Sequence, residues 1–208
     1  MKASIVCGSP DFWLPEKLDD FVIGVDRGAL RLIQNGIYPS VAIGDFDSIS
    51  ADEFEQVQAY TKQLIQLPVE KDITDCEAAV EFAITQGYDE INLYGVTGGR
   101  IDHFYAVTVL ILKYIKRGIS ITVENEKNKL FVLVPGSNGG IKVKGRKYIS
   151  FFALGRSVRS LTITGVKYPL NCYDLEVDDS LCVSNEAIGK RISVNFGTGC
   201  LLVIQSSD

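Results

Sequence analysis

A change of rhythm near residue 125 constrains this chain more than any other feature. Before it, short apolar runs alternate with helix-like stretches; after it, only short runs split by Gly, Pro, Asn and Ser remain. In the first part, Ala3–Cys7, Phe21–Val25, Val41–Ile43, Glu90–Tyr94 and Ile119–Val123 read as strands. Helices are predicted from about Gly28 to Gln34, over 52–60, from Thr74 to about Thr85 and over 101–117. The last is apolar nearly all round and is expected to be buried. Strands alternating with helices predict a mostly parallel sheet covered on both faces. In the second part the runs are Leu130–Val134, Ile141–Val143, Tyr148–Leu154, Leu161–Ile163, Leu181–Val183, Ile192–Phe196 and Leu201–Ile204. They predict an antiparallel β-sandwich or barrel. Domains of 1–125 and 126–208 follow, with the boundary at Asn125-Glu126-Lys127-Asn128.

Composition narrows the class. Of 208 residues, 46% are hydrophobic and 23% charged, which excludes disordered, collagen-like and disulfide-scaffold chains. A chain of this length buries roughly 70% of its unfolded surface and needs no staple. The apolar run Phe104–Leu112 stops at Lys113, far short of the ~20 residues of a membrane span. The N-terminal apolar run ends by Gly8-Ser9-Pro10, too short for a secretion signal. Cys7, Cys76, Cys172, Cys182 and Cys200 form no C-x-x-C pair, so reduced thiols in a cytoplasmic protein are expected. Residues 1–120 carry a net −8 and residues 121–208 a net +3. No dense basic stripe appears, so neither nucleic acid nor membrane is an expected partner.

The acidic residues of the first part collect where strands end. Asp26 follows Phe21–Val25, and Asp45 and Asp47 follow Val41–Ile43. In extended backbone, positions i and i+2 project to one side, so Asp45 and Asp47 are expected to face one ion together. Asp72 and Asp75 stand in Lys71-Asp72-Ile73-Thr74-Asp75-Cys76-Glu77, and Asp102 in Gly98-Gly99-Arg100-Ile101-Asp102-His103. Ligands of open α/β sheets bind outside the carboxyl ends of the strands. Carboxylates gathered there repel one another unless a hard cation such as Mg²⁺ neutralises them. Singly, each has a plainer reading. Thr74 and Glu77 fit a helix capping box, and Asp45-Phe46-Asp47-Ser48 fits an acidic turn.

Gly95-Val96-Thr97-Gly98-Gly99-Arg100 follows a strand and opens a helix. Such a loop can offer backbone N–H groups and a guanidinium fork to phosphate, or be an ordinary glycine turn. Its spacing is neither of the common nucleotide-binding glycine patterns. His103, the only histidine, reads alone as a packing or hydrogen-bonding residue.

Taken in order, these segments resemble the thiamine pyrophosphokinase (thiamine diphosphokinase) family. The matching segments are Val25-Asp26-Arg27-Gly28-Ala29, Ile43-Gly44-Asp45-Phe46-Asp47-Ser48, Lys71 to Ala79, and Gly95 to His103. Ser184-Asn185-Glu186 and Gly165-Val166-Lys167-Tyr168-Pro169-Leu170 match in the second half. Arg27 and Val107 depart from what many members carry there. The resemblance implies an N-terminal three-layer α/β/α, Rossmann-like nucleotide domain and a C-terminal β-sandwich that helps hold thiamine. It implies a homodimer with active sites at the subunit interface. It implies Mg²⁺-dependent transfer of diphosphate from ATP to thiamine, releasing AMP.

Carried over by residue, it implies metal ligation by Asp45, Asp47 and Asp75, and catalysis by these with Arg100 and Asp102. Asp26, Arg27, Lys71, Asp72, Thr74, Thr97, Gly98, Arg100 and His103 would hold nucleotide and metal. Tyr168 would stack on thiamine, near Ser184 and Asn185. Three rivals remain: a pyrophosphokinase of a pterin alcohol, an aspartate phosphohydrolase and a nucleotide sensor without catalysis. The phosphohydrolase needs its D-x-D directly after the first strand, whereas Asp45 follows the third apolar run.

Overall fold

The computed structural model describes residues 1–136, 140–142 and 145–208. The strands Lys2–Val6, Phe21–Val25 and Val41–Gly44 bury whole runs rather than alternate residues, the mark of a sheet covered on both faces. The elements in chain order are β1 (Lys2–Val6), β2 (Phe21–Val25), α1 (Arg27–Gln34), β3 (Val41–Gly44), α2 (Ala51–Tyr60), β4 (Gln63–Gln66), α3 (Asp75–Thr85), β5 (Glu90–Tyr94), α4 (Ile101–Ile115) and β6 (Ser120–Glu124). Ala3, Ile5, Val6, Ile23, Ala42 and Leu93 are fully buried.

These six strands run in the order β6-β5-β1-β2-β3-β4, with every pair parallel. Ile5 pairs with Ile23 on one side and Leu93 on the other. The chain winds outward from β1 to β4, then returns beside β1 as β5. This reversal opens a crevice at the carboxyl ends of β1 and β5, the usual ligand position in such sheets.

Two expectations for this part need correction. Gln63–Gln66 is an added edge strand whose polar ends and half-buried middle carry no apolar-run signal. Helix α4 is not buried all round. Val107, Leu110, Ile111 and Tyr114 face the core, while Ile101, Tyr105 and Val109 lie one helical turn apart on an exposed stripe.

The second part continues with β7 (Asn128–Leu133), β8 (Ile141–Lys142), β9 (Tyr148–Ala153), β10 (Val158–Thr164), β11 (Leu170–Leu175), β12 (Asn185–Glu186), β13 (Arg191–Asn195) and β14 (Leu201–Ser206). They form one antiparallel set in the order β12-β9-β14-β7 and a second in the order β11-β10-β13-β8. Phe151, Val158, Leu161, Ile163, Ile192, Leu201 and Val203 fill their shared core. Val143, of the expected run Ile141–Val143, lies outside the described residues.

Leu181–Val183 is a turn rather than a strand. Only Cys182 is buried there, and Ser184 takes a left-handed φ of 57°, which breaks extended backbone. Leu170–Leu175, not expected as a strand, pairs with β10 through a register shift.

The chain divides into two compact units, Met1–Glu126 and Lys127–Asp208. Among the described residues, all five cysteines are free and no helix is long and apolar enough to cross a membrane.

Candidate active site

The carboxyl ends of β1, β2, β3 and β5, the first turn of α3 and the first three turns of α4 line a cavity of about 460 Å³. That size suits a small-molecule ligand. Asp26, Asp45, Asp47, Thr74, Asp75, Arg27 and His103 line it, with Cys7, Gly8 and Ser9 from the loop after β1.

Asp26 ends β2 in strained backbone, with φ 47° and ψ −124°. Its Oδ1 accepts the Phe46 N–H at 3.1 Å. A Cβ on Gly44 would fall on that carboxylate, so only glycine lets β3 pass this close. Asp45 follows directly. The chain then turns at Phe46, whose φ is 59°, and the Asp47 N–H donates to Asp45 Oδ1 at 3.2 Å. Asp75 opens α3. It is positioned by Thr74, whose hydroxyl accepts the Glu77 N–H at 3.2 Å. The expected capping box is half made, because the Glu77 carboxylate turns instead to Lys113 on α4 at 2.5 Å.

One oxygen each from Asp26, Asp45 and Asp75 lies within 4.8 Å of the other two. Asp47 is on the cavity wall but outside this cluster. Phe46 makes a turn, not extended strand, so Asp45 and Asp47 are not brought to the cavity by the i, i+2 alternation expected of them, although both line it. Asp26, which the family pattern places beside the site, is inside the cluster.

Lys71 Nζ stands 2.9 Å from Asp45 Oδ2 and 3.1 Å from Asp75 Oδ1, and donates to the Pro68 carbonyl at 3.0 Å. Asp75 Oδ1 is nevertheless buried without a hydrogen-bond donor, so Lys71 offsets its charge without satisfying it.

Burial pushes the Asp26 carboxyl up to about 7, helped by the charges of Asp75, Asp45 and Asp47 and opposed by the Phe46 N–H. Burial acts on Asp45 in the same direction, but hydrogen bonds from Lys71 and the Asp47 N–H outweigh it and hold Asp45 below its ordinary value. Lys71 is raised: burial works against its charge, and the short contacts with Asp45 and Asp75 and the attraction of both carboxylates prevail. Beside this cluster the Cys7 thiol is raised well above its ordinary value by the Cys76 thiol and by burial.

The glycine-rich loop is only partly in the cavity. Gly95 and Val96 line it, whereas Arg100 and Asp102 pair with each other at 2.5 Å in exposed positions. Thr97 Oγ1 accepts from Asn125 Nδ2 at 2.8 Å, and Gly98, at φ 80°, lies against the Asp11 carboxylate. Asp72 is exposed, off the cavity wall. The Arg27 guanidinium donates to the Ser48 carbonyl.

Sequence reasoning missed Cys7, Gly8 and Ser9 because none is charged. Gly8-Ser9-Pro10 directly after the first strand was the available signal.

In the second unit, Asn185 is buried and spends its amide on the backbone. Its Oδ1 accepts from the Tyr168 and Glu186 N–H groups at 3.1 and 2.9 Å, and its Nδ2 donates to the Tyr168 carbonyl at 2.8 Å. Asn185 therefore fixes the loop that presents Tyr168, whose ring is 60% exposed. Lys167 Nζ already sits 5.4 Å from that ring's centroid. Ser184 is exposed beside them, its N–H held by the Ser150 hydroxyl at 3.0 Å.

Comparison with known proteins accounts for both units. Residues 16–123 match the family model "Thiamin pyrophosphokinase, catalytic domain", and residues 140–201 match "Thiamin pyrophosphokinase, vitamin B1 binding domain". The Bacillus subtilis (strain 168) protein named thiamine pyrophosphokinase is 36% identical over 99% of this chain and 98% of its own. The crystal structure of thiamine pyrophosphokinase from Bacillus subtilis superimposes with a TM-score of 0.92, at 35% identity, over the whole of both chains. That of a thiamin pyrophosphokinase family protein from Enterococcus faecalis gives 0.91 at 32% identity, again over the whole of both. Two matching domain models and full-length likeness at this identity place the chain in the thiamin pyrophosphokinase family, a family of enzymes.

Proposed function

We propose that the protein transfers the diphosphate group of ATP to the primary hydroxyl of thiamine, giving thiamine diphosphate and AMP. The observation that carries this reading is the carboxylate cluster beyond the carboxyl ends of β2 and β3, in a chain whose two halves match the two thiamin pyrophosphokinase domains. The double match favours it over pterin pyrophosphorylation, phosphohydrolysis and nucleotide sensing.

The site suits Mg²⁺. All three clustered groups are hard oxygen donors, and Asp75 Oδ1 is buried without a donor. Asp26, Asp45 and Asp75 would hold the ion, which, when bound, supplies charge neutralisation for the phosphates. Asp47, on the cavity wall, would act through a water or the nucleotide rather than in this ligand set. Arg27 and Lys71 supply positive charge at the site, and Arg100 would add its own on turning from Asp102 toward the nucleotide; such charge stabilises transferred phosphoryl groups. Gly98, Thr97, Thr74 and Asp72 would shape the nucleotide's surroundings, with His103 and Asp102 at the start of α4. The transfer needs the hydroxyl aligned with the β-phosphorus, so positioning carries much of the rate. Tyr168 would stack on the cationic thiazolium, as its face already attracts Lys167. We also propose a homodimer working in the cytoplasm.

The test is product analysis. Incubation with MgATP and thiamine should yield AMP and thiamine diphosphate in equal amounts. ADP or orthophosphate as the nucleotide-derived product, or no AMP, would refute the reading.

A further inference from the structure

We infer that Lys71 is the resident counter-ion of the carboxylate cluster, standing where the divalent cation must enter, and that metal loading displaces it. The inference rests on the metal reading above. The ammonium lies between Asp45 Oδ2 and Asp75 Oδ1, at 2.9 and 3.1 Å, and its side chain is only 13% exposed. Oxygen ligands of Mg²⁺ sit at about 2.1 Å, so an ion shared by these two oxygens would overlap the ammonium. A single charge and a double charge at that separation also repel strongly. Both cannot occupy the cluster.

The fit of the ammonium is incomplete. It hydrogen-bonds Asp45 and the Pro68 carbonyl, but its 3.1 Å approach to Asp75 Oδ1 is not aligned as a hydrogen bond. A stand-in with this defect holds Asp45 and Asp75 together without making the site too stable to exchange. Lys71 can leave because it is carried by segment 67–74, which connects β4 to α3 outside any regular element. Around it Val69 and Ile73 are 70% and 40% exposed, so little packing fixes the segment. Its four-carbon stem lets the released ammonium turn toward an anionic phosphate. Metal alone must then compete with an internal cation, whereas metal arriving with a nucleotide offers Lys71 a new partner. Lys71 is thus a positioning residue that couples metal entry to nucleotide entry.

The experiment is Mn²⁺ binding, followed by electron paramagnetic resonance, to the full chain with and without ATP. Lys71→Met should bind Mn²⁺ without nucleotide roughly ten-fold or more tighter than the parent protein, having lost the competing charge. Its metal-free melting temperature should fall, and Mn²⁺ should raise it by more than it raises the parent's. Lys71→Arg should keep the parent's weak affinity. A merely structural lysine would not yield tighter metal binding on removal. Should Lys71→Met fail to fold, Lys71→Gln gives the same comparison with an uncharged side chain. Unchanged or weaker Mn²⁺ binding in a folded neutral variant overturns the inference. If that binding is still abolished by Asp75→Asn, the metal reading stands and only the role of Lys71 falls. If the parent binds no Mn²⁺ even with ATP, both fall.

Discussion

At Asp26 the protein accepts local instability to keep a carboxylate in place. Its backbone is in a region that side chains other than glycine rarely enter, at an estimated ~1–3 kcal/mol. Its carboxyl is buried beside three like charges, and so titrates at about 7 instead of 3.8. The folded state therefore binds one more proton than the unfolded state between those values. Stability from this group is full below about pH 4, declines as pH rises toward 7, and is level above that. In EDTA, Asp26→Asn should thus be more stable than the parent at pH 8, by on the order of 2–4 kcal/mol, with the gain vanishing near pH 4. Urea unfolding at several pH values checks this. A constant difference across the range would show that Asp26 does not titrate as described. The variant should also lose nearly all turnover, since the neutral amide no longer contributes a negative charge to the cluster.

At the scale of elements, helix α3 shows how a local rule builds the site. Thr74 caps its N-terminus, and Asp75, the first helical residue, is thereby aimed into the cluster. Thr74→Ala should cost about 1 kcal/mol and lower the melting temperature by roughly 2–4 °C. Differential scanning calorimetry reads that shift. Turnover should fall further than so small a loss of stability explains, because Asp75 loses its anchor.

The cap was legible in Thr-x-x-Glu, as were all four helices, because helical periodicity and N-caps are local signals. Strands β4 and β11 were not legible, since neither carries an extended apolar run. Both Gln63–Gln66 and Leu170–Leu175 owe their extended form to a partner distant in sequence or to a shifted register. The same reason hid the membership of the cluster. That aspartates gather at strand ends could be read from the sequence. That Asp26 joins Asp45 and Asp75 depends on positive φ at Asp26 and Phe46, which no residue type announces. Asn185 was seen as a binding residue; three hydrogen bonds of its buried amide go to backbone groups that only the fold brings near.

For the whole molecule, charge decides how a nucleotide can be held. Residues 1–120 carry a net −8, and the cavity lies within them. ATP is itself a polyanion, so its approach is opposed unless cations intervene. Lys71 alone cannot reverse this, being shared by two carboxylates. Nucleotide binding should therefore depend on the divalent ion far more than on any single contact. A ligand that binds only the folded state at a hundred times its Kd adds about 2.7 kcal/mol. For a chain of this size that corresponds to a rise in melting temperature of roughly 5–11 °C. Saturating MgATP should produce a shift of this order in thermal unfolding, and ATP in EDTA almost none. Isothermal titration should show at least a ten-fold weaker affinity without the metal. Equal shifts with and without EDTA would mean that the aspartates at the strand ends do not meet the phosphates through a metal. The basic groups nearby, Arg27 and Arg100, would then have to hold the nucleotide by themselves.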